Sequence, residues 1–297
     1  MNYETFKKAI IKRLEYEIPN PKTVSIQSVS KNNGLNLDGL VIMESGRNIS
    51  PTLYLNYYYD SYLSGTSFQQ IYETILKNYE DNKPSQNIDI RFFTDFNNVS
   101  QKIAFKIIHY DRNKKLLDTV PHIHYLDLAI VFFCLIELKE AQGSATILIH
   151  QSHINYWGVT VRELFDLAQT NVPKLLEPAF YNMNDILGDL SGQNCLLPDT
   201  VPDSPYPMFV LTNHLKLYGA GCMIYENLLK KYAQKFNTDF YILPSSVHEV
   251  LLVPADEKKC LKDLSDMVKE VNETLSEEDI LSDHAYYYSR KTNDISM

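Results

Sequence analysis

Apolar positions along this chain recur with a period that switches between helix and strand. From Tyr3 onward, Phe6, Ile10, Leu14 and Ile18 repeat every four residues and lay one apolar stripe along a helix that Pro19 and Pro21 stop. Two strand-like runs follow, Thr23 to Ser30 and Leu35 to Glu44. Lys31-Asn32-Asn33-Gly34 joins them, and Asn and Gly accept positive φ, so the segment predicts a β-hairpin. Pro51 opens a short strand, Thr52 to Leu55. Ser67 and Gln70 form a capping box ahead of Phe68, Ile71, Tyr72, Ile75, Leu76 and Tyr79, the spacing of an amphipathic helix ending before Pro84.

A middle block begins near Asn98. Ile103 to Tyr110 reads as a strand, Lys114 to Val120 as a short helix, Tyr125 to Leu138 as a buried strand and Ala145 to His150 as another strand. A second capping box, Thr160 with Glu163, launches a helix that Pro173 ends or kinks. Another short helix is predicted from Met183 to Leu190. Residues Ser191 to Pro207 bring Pro198, Pro202, Pro205 and Pro207 close together and read as a linker. Beyond it come a strand Met208 to Thr212, a helix Cys222 to Phe236, strands Phe240 to Leu243 and Glu249 to Val253, a helix Glu257 to Asn272 and a strand Ala285 to Ser289. That order, βαββαβ, is the order of a ferredoxin-like unit. The fold class is therefore α+β, mixed sheets with packed helices. An N-terminal and middle region spans 1–190, a Pro-rich linker 191–207, and a C-terminal region 208–297.

The chain has 297 residues, of which 44% are hydrophobic and 22% charged, so it can bury a core. The formal charge is −9. Duplex nucleic acid, whose affinity comes mainly from phosphate neutralisation, is not an expected partner. The longest apolar run, Leu126 to Leu138, contains Asp127 and Glu137 and is too short for a membrane span. The four cysteines, Cys134, Cys195, Cys222 and Cys260, form no CxxC pair, and no signal peptide is visible. These features predict a cytoplasmic protein with reduced thiols. The 21 tyrosines include the triplets Tyr57–Tyr59 and Tyr286–Tyr288, read as half-buried strand and loop surface.

Three constellations are candidates for chemistry. Ser245-Ser246-Val247-His248-Glu249 sits in a turn between strands and contains the residue types of nucleophilic hydrolysis, with Ser246, His248 and Glu249 as candidate catalytic residues. A G-x-S-x-G elbow is missing, and the alternative is a turn in which Ser hydroxyls bond the backbone. His122 and His124 would share one face of a strand with Asp127 nearby, and His150 and His153 lie three apart. His122, His124 and His150 are the candidate metal ligands, against a reading as ordinary loop histidines. Gly219-Ala220-Gly221 precedes a helix and weakly echoes a phosphate-binding turn, with Gly219, Gly221 and Asp127 as candidate binding residues. Ile224 stands where that fingerprint has Gly or Ala, and the competing reading is close backbone packing. No cofactor class follows from these patterns.

The chain resembles a family of bacterial proteins known only as a domain of unknown function, number 5688. The resemblance covers nearly the whole chain. It is carried by Lys31-Asn32-Asn33-Gly34 with Leu37-Asp38-Gly39-Leu40, by Asn48-Ile49-Ser50-Pro51-Thr52, by Val120-Pro121-His122 and by Leu126-Asp127-Leu128. It continues through Trp157-Gly158-Val159-Thr160, Leu211-Thr212-Asn213, Tyr218-Gly219-Ala220 and Tyr241 to Val250, and ends with Leu281-Ser282-Asp283 and Tyr286-Tyr287-Tyr288. More remotely, Met208 to Val253 is similar to part of another bacterial family of unknown function. The resemblance implies a cytoplasmic bacterial protein and transfers no catalytic residue.

Two function classes follow. The favoured one is a non-catalytic binding or accessory protein whose expected partner is another protein. The other is an enzyme, a hydrolase using Ser246 and His248, or a metal-binding protein through the clustered histidines. Convergence of Ser246, His248 and an acid such as Asp127 would mark an enzyme site. A His248 packed on backbone with its nitrogens satisfied would mark a structural turn.

Overall fold

The computed structural model describes residues 1–17, 22–84, 87, 93–138, 143–183, 207–255 and 260–297. Contacts divide the chain into two compact units, Met1–Phe92 with Glu137–Ser144, and Phe93–Ile136 with Ala145–Met297.

In the first unit, α1 (Tyr3–Glu17) precedes β1 (Lys22–Ser30), β2 (Asn36–Glu44) and β3 (Thr52–Tyr54), followed by α2 (Leu55–Leu63) and α3 (Phe68–Asn82). The strands form an antiparallel sheet in the order β1-β2-β3. The predicted stripe is the helix's inner face: Phe6, Ile10 and Leu14 are fully buried and cluster with Leu40, Ile42, Ile71 and Ile75. Each such side chain contributes about 1.5–3 kcal/mol of burial free energy. The hairpin turns where Asn33 (φ 58°) and Gly34 (φ 74°) adopt the left-handed region, as expected of those residues. Both bonds of the Ser67–Gln70 capping box are present. The triplet Tyr57–Tyr59 is helical, inside α2, and not in strand or loop. Tyr58 and Tyr59 pack against the helix-lined core, so tertiary burial overrides their strand preference.

The second unit contains two sheets. β4 (Ile103–His109), β5 (His122–Tyr125), β6 (Leu128–Leu138) and β7 (Gly143–Leu148) form one, in the order β4-β6-β5, with β7 also on β6. β8 (Pro178–Asn182), β9 (Phe209–Asn213), β10 (Phe240–Ser246), β11 (Glu249–Pro254), β12 (Tyr286–Ser289) and β13 (Asp294–Ser296) form the other, in the order β13-β12-β10-β11-β9-β8. Helices Gln151–Trp157 and Val161–Leu175 connect the two sheets, and Leu228–Phe236 and Leu261–Asn272 link strands within the second. Phe105, Phe132 and Phe133 from the first sheet and Phe180, Phe209, Phe240 and Ile242 from the second belong to one buried cluster, so middle and C-terminal blocks share a core. No described helix is long and apolar enough to cross a membrane.

Two sequence expectations change, and a third region is not described: residues 191–206 of the linker and most of the helix 183–190 lie outside the described residues. The strands that flank them, β8 and β9, are paired neighbours with Phe180 opposite Leu211, so two separate cores do not meet at that point. The C-terminal chain order is βαββαβ as predicted, but the lateral order is not ferredoxin-like. A ferredoxin-like sheet seats its first strand between the third and fourth. In this sheet the second strand, β10, lies between β11 and β12, because the first strand, β9, is held by β8 on its other side. The helix expected over Cys222 to Phe236 is broken. Gly219–Ile224 is a 3₁₀ turn, and Leu228–Phe236 starts afresh after Asn227 in the left-handed region, φ 57°.

Candidate functional site

The Ser246–His248 segment is the tight turn between β10 and β11, with Ser246 paired opposite Glu249. The Ser246 hydroxyl does not face the imidazole of His248 as a nucleophile would. Its Oγ accepts the His248 backbone N–H at 3.0 Å, the two-residue Ser turn that local geometry favours. The His248 ring has other neighbours at both nitrogens. Nδ1 lies 3.3 Å from the Tyr218 backbone nitrogen, whose N–H it accepts when unprotonated, and 3.1 Å from the Lys216 carbonyl, to which it donates when protonated. Nε2 lies 3.7 Å from Asp279 Oδ1. The ring is stacked on Tyr218, which also has the Lys106 ammonium 4.2 Å from its ring centroid and Phe133 packed edge-on at 5.4 Å. Glu249 pairs along the sheet and completes no triad with Ser246 and His248.

Gly219 is explained by the same turn. It has no positive φ, and a Cβ on it would fall on Thr212 Oγ1, on the His248 carbonyl and 2.9 Å from the Asn213 nitrogen. Thr212 Oγ1 donates to that His248 carbonyl at 2.8 Å. Gly219 is therefore glycine for space, and the backbone it approaches belongs to its own fold. At Gly221 the nearest atoms a Cβ would meet belong to Phe105, starting at an ordinary 3.4 Å.

His122 and His124 do share a strand face, and both rings lie near Tyr110, at 6.1 and 4.2 Å. His122 Nδ1 lies 3.1 Å from the Val120 carbonyl. His150 packs instead on His153, whose Nδ1 accepts the His150 backbone N–H at 3.0 Å. Among the described residues, no group of three or more His, Cys, Asp or Glu side chains is placed to hold a metal ion.

A polar network gathers around Asp127. The β5–β6 turn is only Leu126–Asp127, since Tyr125 pairs with Leu128. Leu126 has φ 56°, a conformation that a bulky L residue rarely adopts. The Tyr110 N–H donates to the Asp127 carbonyl at 2.9 Å and pins the turn. The carboxylate then takes three donors: Tyr286 OH at 2.6 Å on Oδ1, and Ser282 Oγ at 2.6 Å and His284 Nδ1 at 3.1 Å on Oδ2. Ser282 and Tyr286 are fully buried. Burial, then the Asp127 charge, push the Tyr286 phenol far above its ordinary pKa, so it stays a donor. Next in the chain, Asp283 accepts from Arg112 Nη2 and Asn272 Nδ2, each at 2.8 Å. Burial raises the Asp283 carboxyl, but the Asn272 hydrogen bond and the Arg112 charge outweigh it, and its pKa lies below the ordinary value. The network ties residues 282–286 to a turn more than 150 positions earlier. His284 Nδ1 faces the acid, as a general base would be oriented, but Ser282 is bonded to Asp127 and accepts the His284 N–H at 2.9 Å, which leaves no nucleophile at that ring. Asp127 was legible as a candidate; Ser282, His284, Tyr286 and Arg112 were not. The only signal was that segments 126–128, 281–283 and 286–288 all carry the family resemblance.

Beside this network His109 is buried, and burial holds its imidazole below the ordinary 6.5, against the Asp127, Asp283 and Asp111 charges and together with the Arg112 charge. His153 is lowered too, by burial and His150. Below pH 6.5 the unfolded chain takes up these protons and the native state does not, so the stability is fully present above that pH and lost on acidification. Asp283, with its pKa depressed from 3.8, adds a further loss in stronger acid. Urea denaturation at a series of pH values is expected to show stability falling from about pH 7 towards pH 5, with a shallower fall in His109→Gln. A flat profile over that interval contradicts the assignment.

A cleft of about 340 Å³ opens on the same unit. Tyr125, Phe165, Tyr225 and Tyr288 form its walls, with Glu226, Lys230 and Asp294 also lining it. Helix Val161–Leu175, started by the complete Thr160–Glu163 capping box, carries Gln169 to the wall. Gln169 Nε2 donates to the Ile224 carbonyl at 3.1 Å. A carbonyl only accepts, so the amide orientation is determined and Oε1 is the acceptor. That Oε1 is buried and has no donor. No spacing in the sequence marks this cleft, because its walls come from four separate stretches, 125–130, 165–169, 223–230 and 288–295.

No curated protein and no solved structure matches the chain. One family model does, over residues 3–290, and the chain accordingly belongs to the family of unknown function DUF5688.

Proposed function

We propose that this protein is a non-catalytic binding protein and that the aromatic cleft of its second unit is the binding site. The observation that carries this reading is Gln169 Oε1, a buried acceptor without a donor in the wall of a cleft lined by four aromatic residues. Buried polar atoms are nearly always hydrogen-bonded, and exceptions in concave, apolar surroundings favour a ligand-binding role. The two serines that lie beside a histidine support the same reading: Ser246 is engaged with backbone and Ser282 with Asp127.

Native mass spectrometry of the full chain, purified under mild chelator-free conditions, tests it. The expected result is a stoichiometric added mass that denaturation removes and that is diminished in Gln169→Leu. An added mass equal in both proteins places the ligand elsewhere, and a chemically altered product released from the protein would establish an enzyme instead.

A further inference from the structure

We infer that the cleft takes a small organic cation, a protonated amine with N–H donors on a flat apolar body; this rests on the cleft being the binding site. Three properties of the lining point the same way. First, the tyrosine hydroxyls are largely spent inside the protein. Tyr225 OH donates to the Leu176 carbonyl at 3.1 Å and Tyr288 OH donates to Asn293 Oδ1 at 2.7 Å. What these residues offer to a ligand is ring surface, whose negative π-face attracts a cation. Second, the unsatisfied group is an acceptor. Gln169 Oε1 requires a donor, which an ammonium brings and a carboxylate or phosphate does not. Gln169 is itself only partly buried and lines the cleft.

Third, the charges favour a cation. Among the lining residues two carboxylates, Glu226 and Asp294, face one ammonium, Lys230. Carboxylates beside low-dielectric aromatic walls focus the local field, and the chain's net charge of −9 adds long-range attraction for cations. The volume bounds the ligand's size. About 340 Å³ lies at the small end of ligand pockets and accommodates a single ring with a short arm.

Isothermal titration of the full chain with phenethylamine hydrochloride and with sodium phenylacetate compares one body carrying opposite charges. Phenethylamine is expected to bind at one site, about tenfold more tightly than phenylacetate, with affinity falling as salt rises. The exposed pair Glu226→Gln and Asp294→Asn, which leaves the core untouched, is expected to weaken it several-fold. Gln169→Leu should weaken it as well, and Gln169→Glu should restore or increase it. Phenylacetate binding as tightly as the amine, with dependence on Gln169, overturns the cation class while leaving the cleft as the site. Amine binding that none of these variants alters puts the cation elsewhere and overturns the inference. Binding of neither probe also overturns it, and the mass-spectrometric comparison then judges the cleft by itself.

Discussion

Replacing Asp127 with alanine is expected to destabilise the second unit by about 4 kcal/mol, because two buried hydroxyl donors lose their acceptor and each orphaned group costs about 1–3 kcal/mol. The donors are Ser282 Oγ and Tyr286 OH, both on fully buried residues. His284, nearly half exposed at 47%, is re-solvated at little cost and adds little to the effect. Tyr286→Phe removes one partner cleanly and leaves Asp127 bonded to Ser282, so its cost is expected to be about 1 kcal/mol. In the double variant the Tyr286 change adds nothing further, a coupling that a double-mutant cycle measures directly. Trp157, the only tryptophan, lies in this unit with its Nε1 donating to the Phe93 carbonyl, and its fluorescence reports unfolding in urea. A loss below about 1 kcal/mol for Asp127→Ala would show that the network is replaceable by water.

Gly219→Ala is expected to cost about 3 kcal/mol, at the upper end of overpacking, while Gly221→Ala stays within about 1 kcal/mol. The two glycines are neighbours in one 3₁₀ turn, and helix propensity or backbone entropy treats them alike. Their surroundings differ. At Gly219 the new methyl meets the Thr212 hydroxyl and two backbone atoms that belong to paired strands or their turn. At Gly221 it meets the edge of the Phe105 ring at 3.4 Å, which a small ring rotation relieves. Thermal unfolding of both variants separates the readings of the Gly219-Ala220-Gly221 segment. Equal, small effects would restore the possibility that Gly219 is kept for a ligand's approach and not for the His248 turn.

Local patterns accounted for much of this protein. The four-residue repeat Phe6, Ile10, Leu14 predicted a buried helix face, and two S/T-x-x-E/Q boxes located the starts of helices Phe68–Asn82 and Val161–Leu175. Asn33 and Gly34 located the first hairpin. In each case the deciding interactions span four residues or fewer, so neighbours in sequence are neighbours in space. The Ser246–His248 turn was legible in its structural version for the same reason, since a Ser hydroxyl reaches the N–H two residues on.

Other features had no local signature. The helical state of Tyr57–Tyr59 and the break before Leu228 depend on which surface buries those residues. Sheet order depends on which strand reaches an open edge, and β8 claims one edge of β9 across a gap of more than twenty residues. The Asp127 network and the aromatic cleft join side chains up to 171 positions apart. The sequence by itself determined the α+β class, the starts of the two capped helices and membership in DUF5688, because those rest on short-range periodicity and extended similarity. Only the tertiary structure decided the shared core, the lateral strand order and which polar groups meet, because those are settled by packing between segments that chain proximity does not relate.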